Sequence, residues 1–157
     1  MLGALQIDDA ELSIVLTDDA QIRILNRDYR HKDRPTDVLA FAIREGAHGE
    51  LAGEMLGDVV ISLETADRQA REHGHSLREE AVFLLAHGLL HLLGWDHDTK
   101  AKDAAMRRES ERLCAAAGIP APAAAGGVVN TKSKKSATKK RTSRRAPTKT
   151  PRKTGRR

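Results

Sequence analysis

The stretch His87-Gly88-Leu89-Leu90-His91-Leu92-Leu93-Gly94-Trp95-Asp96-His97 holds three of the chain's seven histidines. His87 and His91 stand four apart in a run with helical apolar spacing, so both imidazoles project from one face and can reach one ion. Gly94 can end that helix in a left-handed conformation, and the reversed chain can bring His97 back towards the same point. Three nitrogen ligands around an open fourth position describe a catalytic zinc site, where bound water is acidified towards neutral pH. A structural site would more often be closed by cysteine, and the single cysteine, Cys114, is remote.

The three His and the Gly keep the spacing of the extended metzincin protease motif, H-E-x-x-H-x-x-G-x-x-H. Gly88 stands where the protease has its Glu general base, so the ligand geometry is kept while proteolysis is disfavoured. Working outward, Ser76-Leu77-Arg78-Glu79 has the capping-box pattern and predicts a helix from Leu77 to about Leu93. That helix is apolar nearly all round and is expected to be the central buried helix. On its N-terminal side, Leu63 to His73 reads as a polar helix ended by Gly74, with Ala66 and Ala70 facing inward. On its C-terminal side a last helix is expected from about Ala101 to Ala117, closed by Gly118.

Further upstream, Glu11 to Thr17 alternates as a strand with Leu12, Ile14 and Leu16 on one face. Asp18 and Asp19 offer capping carboxylates for a helix to about Arg30, with Ile22, Leu25 and Tyr29 inward. Thr36 to Ile43 and Asp58 to Ser62 read as two more strands, and Arg44 to Gly57 as the loop between them.

The 157 residues suit one domain with an appendage, with 39% hydrophobic residues to build its core. Charge is uneven: 14 Lys and Arg oppose 22 Asp and Glu before Asn130, whereas 13 basic residues and no acidic ones follow it. Residues 1–119 are expected to form a metal-dependent hydrolase domain. Residues 120–157 then form an Ala/Pro/Gly linker and a disordered basic tail that binds nucleic-acid phosphates without sequence preference. A single cysteine is compatible with a reducing compartment, and no apolar run approaches the length of a membrane span. No membrane partner and a cytoplasmic location are expected.

These residues resemble a known family. The His87–His97 stretch is similar to the H-G-x-L-H-L-x-G-[YWH]-D-H signature of the YbeY endoribonucleases, bacterial enzymes of ribosomal RNA maturation and ribosome quality control. Leu25-Asn26-Arg27-Asp28-Tyr29-Arg30 with Lys32-Asp33, followed by Pro35-Thr36-Asp37-Val38-Leu39, resembles a second block of that family. Gly57-Asp58-Val59-Val60-Ile61-Ser62 resembles a third. The resemblance implies a zincin-like α+β fold, a small mixed sheet packed on the buried helix that carries the ligands. It implies one Zn2+ per chain on His87, His91 and His97, and cleavage of single-stranded RNA in the cytoplasm. The substrate would be ribosomal RNA at the 3′ end of the small-subunit species, with the ribosome or small-subunit proteins as partners.

Arg30 matches the family's functional arginine, and a guanidinium fork suits charge building up on phosphate oxygens during phosphodiester cleavage. Arg23, Arg27, Lys32 and Arg34 are expected to add a local basic patch for nucleic acid. The general base is unassigned; Asp96 and Asp98 are candidates for that role or for supporting the histidines. Three departures from the family stand out. Only ten residues precede Glu11, where a strand and a helix are usual, so an N-terminally short chain is expected. The usual L-S-F-P reads Leu39-Ala40-Phe41-Ala42, and His31 replaces a usual Gly. Two rivals remain: a zinc peptidase without its Glu, and a non-catalytic ribosome or nucleic-acid-binding factor with a structural metal.

Overall fold

A computed structural model describes residues 1–43 and 53–120. After a 3-10 turn at Gly3–Leu5 come β1 (Glu11–Thr17), α1 (Asp19–Arg30), β2 (Val38–Ala42) and β3 (Met55–Ser62). Then follow α2 (Leu63–His73), α3 (Leu77–Leu92) and α4 (Lys100–Ala116). The fold of the described residues is therefore α+β. The linker and tail from residue 121 on, and most of the loop expected between β2 and β3, lie outside the described residues.

Each helix starts at a side chain that satisfies its exposed first-turn N–H groups. Asp18 Oδ1 accepts from the Gln21 N–H at 2.8 Å, Ser62 Oγ from Thr65 at 3.3 Å and Thr99 Oγ1 from Lys102 at 3.2 Å. At α3 the full capping box forms: Ser76 Oγ accepts from the Glu79 N–H, and Glu79 Oε2 accepts from the Ser76 N–H at 2.7 Å. Such caps typically contribute about 1 kcal/mol each.

The sheet has the order β1-β3-β2, with β1 parallel and β2 antiparallel to the central β3. Alternation along β3 sends its apolar residues to two different layers. Val59 and Ile61, with Val38 of β2, pack against Leu84, Leu89 and Leu92 of α3. Val60, with Leu39, packs on the other side against Ile22 of α1. A third cluster joins Ala86 and Leu90 of α3 to Met106, Leu113 and Cys114 of α4. Thus α3 is walled by the sheet on one side and by α4 on another, which is why its sequence is apolar nearly all round.

Two expectations are corrected. β3 begins at Met55 rather than Asp58, because Gly57 lies inside the strand instead of ending the loop. Gly57 has φ 143°, and a Cβ there would meet the Phe41 carbonyl oxygen at 2.0 Å, so only glycine permits this pairing with β2. Tyr29 is 68% exposed, its ring edge against Phe41 at 5.0 Å between centroids. Ile22 and Leu25 do face the core, as expected, and the other buried position on α1 is Asn26. On β1, Ile14 and Leu16 are exposed together with Val15, because the strand lies at a sheet edge and only Leu12 packs against the α3 layer. The apolar residues before β1 (Met1, Leu2, Leu5 and Ile7) pack onto that same layer. Among the described residues, no helix is long and apolar enough to cross a membrane.

Candidate metal centre

His87 and His91 project from consecutive turns of α3, and the chain then reverses. Gly94 takes φ 84°, its N–H donates to His91 O at 3.0 Å and the Trp95 N–H donates to Leu90 O at 3.0 Å. This glycine-terminated turn returns His97 to the other two. Ring centroids lie 4.8 Å apart for His87 and His91, 5.2 Å for His91 and His97, and 5.6 Å for His87 and His97. One ring nitrogen from each falls within 4.8 Å of the others.

The electrostatics suit ligands. Burial pushes the His87 pKa down to about 3, with His91 and His97 adding to the effect. Burial, then His97, pushes His91 down to about 4, and the charge of Arg30 acts in the same direction. Both rings are therefore neutral at pH 7 and retain a lone pair. His91 Nδ1 lies 3.0 Å from the Trp95 carbonyl oxygen. A carbonyl can only accept, so Nδ1 carries the proton and the His91 lone pair sits on Nε2. That Nε2 lies 3.2 Å from His87 Nε2. Zinc–nitrogen bonds of roughly 2.0–2.1 Å in a tetrahedron set two nitrogens roughly 3.3–3.4 Å apart, so the donor set fits such an ion.

Gly88 packs against the sheet between the two ligands. A Cβ there would meet Val59 Cγ1 at 2.6 Å and Cγ2 at 3.2 Å. The helix face that would carry a protease's glutamate is thus pressed onto the sheet, with no room for a carboxylate.

Arg30 ends α1 half-buried, and its charge is felt at His91. Burial lowers its pKa while the Asp37 carboxylate raises it. It lines a cleft of about 220 Å³ with Lys32, Arg34, Asn26, Asp37 and Gln69. Asp37 is fixed from three sides: Oδ1 accepts from the Val38 N–H at 2.8 Å and the Thr36 hydroxyl at 3.1 Å, and Oδ2 from Gln69 Nε2 at 3.1 Å. The other two basic candidates stand apart from this cleft. Arg23 makes a forked pair with Asp33 at 2.7 and 3.0 Å, and Arg27 Nε donates to Asp28 at 2.8 Å. Asp96 and Asp98 both pair with Lys102, at 3.0 and 2.9 Å. The group orienting His91 is instead the Trp95 backbone carbonyl, which no residue type in the sequence could reveal.

Residues 2–118 match the family model described as Endoribonuclease YbeY. The Endoribonuclease YbeY of Heliobacterium modesticaldum is 50% identical over 115 residues, covering 68% of this chain and 69% of the relative. That of Pelotomaculum thermopropionicum is 54% identical over 110 residues, covering 68% and 71%. That of Aquifex aeolicus is 52% identical over 110 residues, covering 70% and 71%. A Thermotoga maritima protein solved in solution is 24% identical, covers 73% of this chain and 75% of its own, and superposes with a TM-score of 0.47.

Proposed function

The chain belongs to the YbeY endoribonuclease family, enzymes that hydrolyse RNA phosphodiester bonds, and from that premise we propose a zinc-dependent, single-strand-specific nuclease of ribosomal RNA maturation and ribosome quality control. In this reading His87, His91 and His97 hold one Zn2+, Arg30 is the catalytic cation, and the arrangement of helix, glycine turn and third histidine is zincin-like. The small-subunit RNA 3′ end is its substrate in the cytoplasm, bound with the ribosome or small-subunit proteins. The observation that carries the reading is the convergence of three imidazoles, two of them kept neutral by burial, with the charge of Arg30 felt at His91.

A zinc ion held there would supply Lewis acidity to a phosphoryl oxygen and acidify water near neutral pH. The protein's own share is positional. The Trp95 carbonyl holds the His91 ring with its lone pair inward. Arg30 offers parallel N–H donors to phosphate oxygens whose charge rises during cleavage. Lys32 and Arg34 line the same cleft and guide the RNA backbone; Arg23 pairs with Asp33 and Arg27 with Asp28, away from that cleft. The crowding at Gly88 argues against the peptidase rival.

The test pairs elemental analysis with cleavage of single-stranded RNA and of casein, with and without chelator. His91→Ala should lose the zinc equivalent held at the three-histidine centre, and with it RNA cleavage. Arg30→Ala should keep zinc and fold but lose most cleavage, at least 100-fold on the scale of a lost transition-state donor. Arg30→Lys should recover only part, because an ammonium lacks the fork. Unchanged RNA turnover in Arg30→Ala would refute its role, and chelator-resistant cleavage would refute the metal's.

A further inference from the structure

A second group of nitrogen and oxygen donors lies in the turn between α2 and α3, and the chemistry at His87, His91 and His97 makes no use of it. His73 closes the last turn of α2, Gly74 reverses the chain with φ 73°, and His75 precedes the Ser76 cap of α3. Glu80 projects from the first turns of α3 and is buried, at 4% exposure. One ring nitrogen of His73, one of His75 and a carboxylate oxygen of Glu80 all lie within 4.8 Å of one another. The two imidazoles stack with centroids 5.6 Å apart.

Hydrogen bonding inside the cluster leaves specific atoms over. His75 Nε2 contacts Glu80 Oε2, and both side chains are more than nine-tenths buried, at 9% and 6% exposure. With the Nε2–H donated to the carboxylate, the His75 lone pair sits on Nδ1. That Nδ1 is buried without a hydrogen-bond partner, and so is His73 Nδ1. Buried ring nitrogens are rarely left unsatisfied, so two of them on stacked imidazoles call for a species that they can contact. A carboxylate that takes the outer N–H of an imidazole is also the arrangement that orients metal-bound histidines and raises their basicity.

We propose that His73, His75 and Glu80 form a second metal site, for one divalent cation of the zinc class, separate from the three-histidine centre. Two imidazole nitrogens beside a carboxylate suit zinc, cobalt or nickel and not calcium or magnesium, which take oxygen ligands. Glu80 lies seven residues before His87 on α3, roughly 10 Å along the helix axis, too far for one ion to serve both groups. A cation there ties the C-terminus of α2 to the start of α3, so its role is to hold the helix that carries the other ligands.

The experiment uses the full chain, stripped of metal and then equilibrated with Zn2+ or Co2+. The intact protein should bind two equivalents, and the His91→Ala/His97→Ala variant should still bind one. Adding His73→Gln to that variant should remove the remaining equivalent. A variant without His91 and His97 that holds no stoichiometric metal, or one that keeps its equivalent after His73→Gln, overturns the proposal. Imidazole 15N resonances give a second measure that needs no change within the cluster. In the His91→Ala/His97→Ala background, those of His73 and His75 should both move on zinc addition. If neither moves, ordered water and not a cation satisfies the two nitrogens. Loss of the first equivalent alone would count against the three-histidine centre and leave this site standing.

Discussion

His31 ends α1 with φ 57°, the left-handed conformation that a side chain bearing a Cβ adopts only at a cost of roughly 1–2 kcal/mol. Its N–H nevertheless donates to Arg27 O at 3.0 Å, so the helix end is built around the strain. Replacing His31 by Gly removes the clash but gives the unfolded chain more freedom, which offsets part of the gain. The expected result is a rise in urea midpoint equivalent to at most about 1 kcal/mol. A second residue-level outcome concerns acid. In metal-free protein, folded His87 and His91 titrate at about 3 and about 4, against an ordinary value of 6.5. Between those values the unfolded chain binds more protons than the folded one, so stability falls as pH drops from about 6.5 and the loss levels off below about 3. Each ring contributes at most about 1.4 kcal/mol per pH unit, and unfolding of the chelated protein at stepped pH measures the slope. A flat profile from pH 6 to 4 would show that the two rings are not buried as neutral groups.

Between α3 and the sheet, the contact at Gly88 decides how near helix and strands lie. Gly88→Ala adds intrinsic helix preference of about 1 kcal/mol, yet its methyl would press on Val59, a fully buried residue that cannot swing aside. Overpacking of this kind costs about 1–3 kcal/mol. The variant should therefore be less stable than the parent by denaturant unfolding, although an exposed glycine in a helix would give the reverse. The bounds of α1, α2 and α3 were legible because a hydroxyl or carboxylate opens each and Gly74 and Gly94 end two of them. The strands were less so. Gly57 reads as a loop residue until its closeness to Phe41 is seen, and Tyr29 keeps helical spacing with Ile22 although only Ile22 meets Leu39 and Val60. In the three-histidine centre the residues follow from spacing, whereas the carbonyl that orients His91 leaves no trace in residue types. The group formed by His73, His75 and Glu80 straddles a helix end, a turn and another helix, so no fixed spacing announces it.

For the whole molecule, charge is the feature that sequence alone resolves: 13 of the 27 Lys and Arg residues and none of the 22 Asp and Glu residues follow Gly127. Cations in such number would release counterions from an RNA backbone and raise its local concentration near an otherwise acidic body. Truncation after Gly127 should weaken RNA binding at low salt and flatten its salt dependence while leaving saturated turnover nearly unchanged. Equal affinity and equal salt slope in the two proteins would assign those residues another purpose. The enclosure of α3 has a consequence of a different kind. It packs against β2, β3, α2 and α4 at once, so the departure of any one neighbour leaves the others covering it. Deuterium should therefore enter the segment around His87 only through the rare opening of the entire fold, and its exchange should respond to denaturant as steeply as global unfolding does.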